Sequence, residues 1–303
     1  MKTIRSICLL GFGEVGLVLA EELGGGAHCR LRAFDIRFDD EGSSASRNAA
    51  RMPAVEAMTN AARAAAECDL IVSAVTASET VAAALSVTGG IRSGTWYLDL
   101  NSASPGSKSE VAGIIERAGG RFVEAAIMSP VEPERLASPI LLGGPHAQSF
   151  LEPAAHLGFS GLTVYADRVG PASAAKMCRS VVIKGMESLL LESLIAARHY
   201  GVEEDVLALL QNLLPHPDWA GRARYMIGRS ITHGVRRSAE MREAAGTVAD
   251  AGLAPHMSDG CVRQQAEAVR FQAALAEESL PGLLDAILSG DGKERSVLEG
   301  GKP

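Results

Sequence analysis

The residues with the clearest chemical meaning stand near the start of the chain: Gly11, Gly13 and Gly16 in GFGEVG, with Asp35 following nineteen residues after Gly16. Glycine at position 11 allows a tight turn, at 13 it lets the backbone approach a pyrophosphate, and at 16 it permits close packing of a helix on a strand. Backbone N–H groups at the helix start then face an anion. Asp35 is placed to accept hydrogen bonds from adenosine ribose hydroxyls. A glycine triplet alone is a weak signal. Here the strand TIRSICLL, the helix LVLAEEL and an acid at the proper distance coincide with it, so the expected chemistry is dinucleotide binding in a nicotinamide-dependent oxidoreductase. The expected cofactor contacts are Gly11, Phe12, Gly13, Glu14 and Val15, then Asp35, Ile36 and Arg37, then Ala74, Val75 and Thr76 at the end of a later strand. Asp35 repels a 2′-phosphate and favours NAD, whereas Arg37 suits NADP. NAD is the first expectation and NADP the alternative.

A second set of polar residues lies beyond residue 170. On a helix Lys176, Ser180 and Glu187 share one narrow stripe and Lys184 is displaced by less than a quarter turn, so one polar face can line a cleft. A nearby Lys184 would lower the proton affinity of Lys176, with Glu187 holding Lys184 in place. The alternative is an exposed i,i+3 pair of Lys184 and Glu187. His233, Arg236 and Glu240 are spaced by three and four, which aligns them for binding a substrate carboxylate, including one held by a partner subunit. A solvated charged face is the competing reading. Trp219 and Tyr225 are expected to pack. His199, His216 and His256 lack partners at ligand spacing, and no metal is expected.

These residues need elements to position them. From the N-terminus to about residue 165, β-like runs (4–10, 29–35, 70–74, 96–100, 122–125 and 140–142) alternate with helical segments (14–23, 55–66, 78–85, 105–118 and 146–157). Such alternation demands crossovers and hence a mainly parallel, doubly wound α/β sheet of Rossmann type. After Gly170 the character changes. Residues 171–201 read as one long helix, with Pro171 at N1 and Gly201 at C′, and its apolar residues occupy more than one face. Helical periodicity recurs at 203–213, 219–233, 238–251 and 255–276, and the tail from Ser289 is expected to be mobile. The expected organisation is a nucleotide-binding domain over 1–168 and an all-α substrate and dimerisation domain over 169–303.

Four segments in order give this chain a wider resemblance. GFGEVG, DLNSASP (99–105), FVEAAIMSPV (122–131) and GPASAAK (170–176) resemble the motifs of the β-hydroxyacid dehydrogenases, the group of 3-hydroxyisobutyrate dehydrogenase and 6-phosphogluconate dehydrogenase. The resemblance implies that Asn101 and Ser102 lie by the nicotinamide and substrate, and that Lys176 is the acid/base. Independently, hydride transfer from a secondary alcohol needs a group that takes the hydroxyl proton and returns it in reduction, and a partly buried Lys176 meets that need. The chain also departs from the family pattern. The family's substrate-binding serine falls at Met128, its glycine pair is replaced by Ser129 and Pro130, and the asparagine four residues after the lysine is Ser180. These departures imply a reshaped substrate site.

Bulk properties narrow the remaining possibilities. The 303 residues carry a formal net charge of −7, 21% charged, 47% hydrophobic and 4% aromatic residues. That is a globular composition, and an acidic chain poor in aromatics is not expected to bind nucleic acid. The N-terminal apolar stretch is broken by Gly11 and Gly13, and no long uncharged apolar window follows, so no membrane contact is expected. Five scattered cysteines read as reduced thiols of a cytoplasmic protein. The expected partners are a small hydroxy acid or carbonyl substrate and a second copy of the chain in a homodimer. Two other readings of the same residues are an imine reductase and an NAD(H)-binding redox sensor without catalysis.

Overall fold

The computed structural model describes residues 3–24 and 29–299. The chain divides into two compact units, Met1–Cys178 and Arg179–Pro303. The division falls inside a helix that begins at Pro171, ten residues beyond the 168/169 boundary read from the sequence.

The first unit alternates strand and helix: β1 (Ser6–Leu10), α1 (Glu14–Gly24), β2 (Arg30–Phe34), α2 (Ser44–Arg51), β3 (Val55–Ala57), α3 (Ala61–Ala65), β4 (Leu70–Ser73), α4 (Thr80–Val87), β5 (Trp96–Asp99), α5 (Pro105–Arg117), β6 (Arg121–Ile127), β7 (Ile140–Gly143), α6 (Ala147–His156) and β8 (Leu162–Val164). They form one eight-stranded sheet in the order β3-β2-β1-β4-β5-β6-β7-β8, parallel throughout except for the antiparallel pair β6–β7. Strand period two sorts the side chains. Ile7, Leu9, Leu70, Val72, Leu98 and Val123 pack on one face with α1, α2 and α6, while Cys8, Leu10, Ile71, Tyr97 and Phe122 pack on the other with α3, α4 and α5. Both faces are covered, as a parallel sheet requires. The strand order reverses between β1 and β4, so the carboxyl ends of these two strands flank the crevice where doubly wound sheets bind ligands.

The helix expected over 55–66 is a correction. Its first residues are instead the edge strand β3, with Val55 in register with Leu31 of β2, and only Ala61–Ala65 is helical. Asn60 caps that short helix, its side chain accepting from the Arg63 amide. α2 is a helix the sequence pattern does not announce, although Ser43 caps it in the same manner. The alanine-rich stretch favours helix locally, but pairing on the sheet edge overrides that preference.

The long helix α7 (Pro171–Tyr200) has the expected ends, with Gly201 at φ +70 closing it and the Val202 amide reaching back to the Ala197 carbonyl. It continues into the second unit, which holds α8 (Glu203–Leu213), α9 (Trp219–Asp250), α10 (His256–Ala268), a 3₁₀ segment (Val269–Ala276) and α11 (Leu280–Glu299). Among the described residues this unit contains no strand. Two expected helices, 219–233 and 238–251, are one continuous element. Gly234 does not break it, because a Cβ there would lie 2.2 Å from the Gln265 carbonyl, and its absence lets α10 cross closely. The core joins Leu191 and Leu194 of α7, Ile227 and Ile231 of α9, and Leu283, Leu284 and Ile287 of α11. The tail expected to be mobile from Ser289 is helical to Glu299, and residues 300–303 lie outside the described residues.

Candidate functional site

The glycines act through space that side chains would occupy. Gly11 turns the chain at φ +93 directly after β1, and its amide donates to the Phe34 carbonyl at 2.9 Å. A Cβ on Gly11 would meet the Ala74 carbonyl oxygen at 2.5 Å, and one on Gly16 the Gly11 carbonyl oxygen at 2.3 Å. These two positions are closed by protein backbone. Gly13 differs, since a Cβ there would meet nothing within 4 Å. It sits just ahead of α1 on an open side, where a pyrophosphate can approach backbone N–H groups at a helix start. The residues present therefore fit a dinucleotide. Asn48 of α2 braces the loop from behind, its Nδ2 donating to the Phe12 carbonyl at 3.0 Å.

Asp35 is held by two backbone amides. One carboxylate oxygen accepts from the Phe12 amide at 2.8 Å and the other from the Arg37 amide at 2.9 Å. Each oxygen retains a lone pair for a hydroxyl donor. Phe12 contributes its amide alone, because its ring is buried in the core, edge-on to Phe38. Ile36 is 69% exposed beside Asp35. The Arg37 guanidinium lies 3.7 Å from Asp40, both side chains being well exposed. Glu14 and Val15 open α1, and Thr76 is exposed beyond β4.

The ends of β4 and β5 are tied by a buried polar chain. Asn101 accepts from the Val75 amide at 2.7 Å, donates from Nδ2 to Ser73 Oγ at 2.9 Å, and donates its own amide to Asp99 Oδ1 at 2.9 Å. Lys108 Nζ lies 2.9 Å from both Asp99 Oδ1 and the Asp99 carbonyl oxygen. Asp99 and Lys108 are 0% and 1% exposed. Asn101 thus fixes the loop carrying Ala74, Val75 and Thr76, while the neighbouring Ser102 remains half-buried. Met128 and Ser129 follow β6, where the Met128 amide donates to the Pro139 carbonyl and the Ser129 hydroxyl to the Pro130 carbonyl.

Lys176 lies in the second turn of α7 and is half-buried, as is Ser180 one turn later. An open groove of about 590 Å³ runs between the starts of α5 and α7, lined by Pro105, Gly106 and Ser109 on one side and Pro171, Ala174, Ala175 and Cys178 on the other, with Tyr165 and Arg168. It lies on a different face of α7 from Lys176, and none of the expected site residues lines it.

In the second unit the expected pairing is corrected. Lys184 is held by Glu240 at 2.5 Å rather than by Glu187, which pairs with Arg237. Neither Lys184 nor Glu187 is an exposed surface residue: they are 9% and 3% exposed. Burial holds the Lys184 ammonium below its ordinary value, with Glu240 pulling the other way, and burial likewise lowers Arg237. Arg236 reaches the second oxygen of Glu240 at 3.5 Å, so Lys184 and Arg236 meet through one carboxylate. His233, half-buried, lies one turn earlier on α9. Ser188, Ser230, Cys261 and Gln265 extend this buried polar layer through Ser188 Oγ–Cys261 Sγ (3.2 Å) and Gln265 Nε2 bonds to both serines.

Asp99, Lys108, Asn48, Glu124, Arg237 and Gln265 were not singled out from the sequence. Asp99 and Lys108 flank the segment that carries Asn101, and a lysine nine residues after a strand-end aspartate was the available signal. No local pattern announces the pairs of the second unit. Among the described residues no cluster of His, Cys, Asp and Glu suits a metal ion, and no helix is long and apolar enough to cross a membrane.

The family described as the NAD binding domain of 6-phosphogluconate dehydrogenase matches residues 6–153, and a domain of unknown function, DUF1932, matches residues 197–268. A conserved hypothetical protein from Sinorhizobium meliloti 1021 is 35% identical over 94% of this chain and 97% of its own, with a TM-score of 0.69. MTH1747, a conserved protein of unknown function with structural similarity to 3-hydroxyacid dehydrogenases, is 28% identical over 94% of this chain and 99% of its own, at a TM-score of 0.65. The Mycobacterium tuberculosis 3-hydroxyisobutyrate dehydrogenase shares the fold at 19% identity, covering 94% of this chain and 99% of its own with a TM-score of 0.63. None of the curated proteins matches.

Proposed function

Because the chain belongs to the β-hydroxyacid dehydrogenase family, in a branch that joins the 6-phosphogluconate dehydrogenase NAD binding domain to a domain of unknown function, we propose that it transfers hydride between NAD(H) and a β-hydroxy acid, or a related secondary alcohol and its carbonyl. The observation that carries the reading is the cradle itself: Gly11 and Gly16 are sealed by backbone, Gly13 is open, and Asp35 is pre-oriented by two amides. The same carboxylate supports NAD over NADP, since a 2′-phosphate would meet Asp35.

A bound nicotinamide supplies the hydride acceptor or donor. Lys176, half-buried on α7, then moves the proton. In oxidation its neutral amine accepts the hydroxyl proton as the C–H bond gives up hydride. In reduction its ammonium returns that proton to the carbonyl oxygen as hydride reaches carbon. Asn101 holds the loop under the cofactor, and Ser102, Ser129 and Ser180 supply hydroxyls to orient the substrate. Lys184 and Arg236 share Glu240 and are assigned to holding the helical unit together. Val182, Leu189 and Tyr200 leave α7 with large exposed apolar side chains, which supports a homodimer covering that face. Free thiols on all five cysteines support a cytoplasmic protein.

The test supplies NAD(H) and NADP(H) in turn with a panel of β-hydroxy acids, their oxo counterparts and cyclic imines. The expected result is turnover of an acid with NAD(H) preferred by roughly tenfold or more, a preference that Asp35→Ala reduces. Reduction of imines but no acid makes the protein an imine reductase. Tight cofactor binding without any turnover makes it a sensor.

A further inference from the structure

One buried carboxylate in the first unit is used by nothing above. Glu124 of β6 is 0% exposed, and both of its oxygens are spent on the start of α7: Oε2 accepts from the Gly170 amide and Oε1 from the Ser173 amide, each at 2.8 Å. The first four N–H groups of a helix have no partner within it, and a carboxylate is well suited to accept from them. Such a contact is usually made by a capping residue next to the helix in sequence. Here it comes from a strand 46 residues before Gly170. The fold is shaped around it. Gly170 takes φ +115, Ser173 Oγ closes onto the Gly170 carbonyl at 2.9 Å, and Gly143 stands opposite Glu124 in the β6–β7 register. A Cβ on Gly143 would fall 2.3 Å from Glu124 Oε2, so only glycine leaves the carboxylate its place.

Lys176 follows Ser173 by three residues, about 4.5 Å along the helix axis. We infer that Glu124, seated over Gly143, is a positioning residue that clamps the first turn of α7 to the sheet and thereby fixes Lys176 relative to the cofactor cradle. The inference rests on Lys176 being the acid/base. It explains how an amine on a helix keeps a set place relative to the glycine turn, because both are anchored to strands of the same sheet, β6 and β1. Displacement of a reacting group by about 1 Å costs on the order of a hundredfold in rate, so a fixed start to this helix has a direct catalytic consequence.

Two variants disturb the same carboxylate from opposite sides: Glu124→Gln replaces one acceptor oxygen with an amino group facing an N–H, and Gly143→Ala pushes Oε2 away. In each, kcat on the acid identified by the panel is expected to fall by roughly tenfold or more, with the NADH dissociation constant unchanged within about twofold. The rate at which an acylating reagent labels Lys176, read by peptide mass spectrometry without substrate, is expected to change by about threefold or more. Glu124→Asp, which keeps the charge on a shorter arm, is expected to recover part of both readouts. Unchanged Lys176 labelling in folded Gly143→Ala and Glu124→Gln proteins overturns the clamp. Altered labelling with undiminished kcat leaves the clamp standing and removes Lys176 as the acid/base.

Discussion

The two units handle buried polarity in opposite ways. In the first, the polar atoms around the cradle are largely backbone amides and neutral side chains, arranged by strand ends: Gly11, Asn48, Val75 and Asn101 point groups at loops, and one ion pair, Lys108–Asp99, locks the chain from behind. In the second, Lys184–Glu240 and Glu187–Arg237 are set between helices from distant parts of the chain and neutralise one another. A site for an anionic cofactor needs donors that remain available, which backbone N–H groups provide at no desolvation cost for an added charge. A helical scaffold needs charges that are already satisfied. The contrast teaches that a buried charge in this protein is not by itself a mark of chemistry.

The largest expected effect sharpens that contrast through paired variants. Lys108→Met strips the partner from fully buried Asp99 and should cost about 3–5 kcal/mol of stability, with a measurable loss of NADH affinity because Asn101 loses its support. Glu240→Ala leaves Lys184 unpaired and should cost about 3 kcal/mol in denaturant unfolding while leaving NADH affinity unchanged. Equal effects of the two on cofactor binding would erase the distinction. Next come the glycines. Gly11→Ala forces a Cβ against the Ala74 carbonyl at positive φ and should destabilise by about 2–3 kcal/mol and abolish cofactor binding. Gly246→Ala, in the interior of α9 with nothing within 4 Å, should stabilise by about 0.5–1 kcal/mol.

The smallest effect is on acid stability. Arg198 holds Asp285 in a bidentate contact and also reaches Glu203, a tie among α7, α8 and α11. The Arg198 hydrogen bond lowers the Asp285 carboxyl below its usual value, and Glu203 is lowered by a backbone hydrogen bond and then by Arg198. A carboxyl held low in the folded state contributes stability that is complete above its ordinary pKa and is lost as pH falls through the lowered one. Thermal melts should therefore show the parent losing its advantage over Arg198→Ala as pH drops below the ordinary carboxylate range. A constant difference down to the most acidic melt would contradict the tie.

How much of this was legible in the sequence follows the same division. β1, the glycine turn, α1 and Asp35 form one contiguous unit, so their arrangement is legible from spacing. Pro171 and Gly201 marked the ends of a thirty-residue helix because proline and glycine act locally. β3 is not legible locally, because Val55 is fixed by pairing with Leu31, a partner outside any local window. The same holds for Glu124 with Gly170 and for Lys184 with Glu240, where the deciding neighbour is supplied by tertiary packing. For Lys184 the sequence offers Glu187 as the acid because it is nearer along the chain, whereas Glu240 is nearer in space.

Proton-coupled hydride transfer with Lys176 as the acid/base is tested most directly by single-turnover reaction of Lys176→Met with NADH and the best oxo acid. The expected loss is about 10²- to 10⁴-fold in the hydride-transfer rate, with NADH affinity unchanged. A rate within about tenfold of the parent would contradict it.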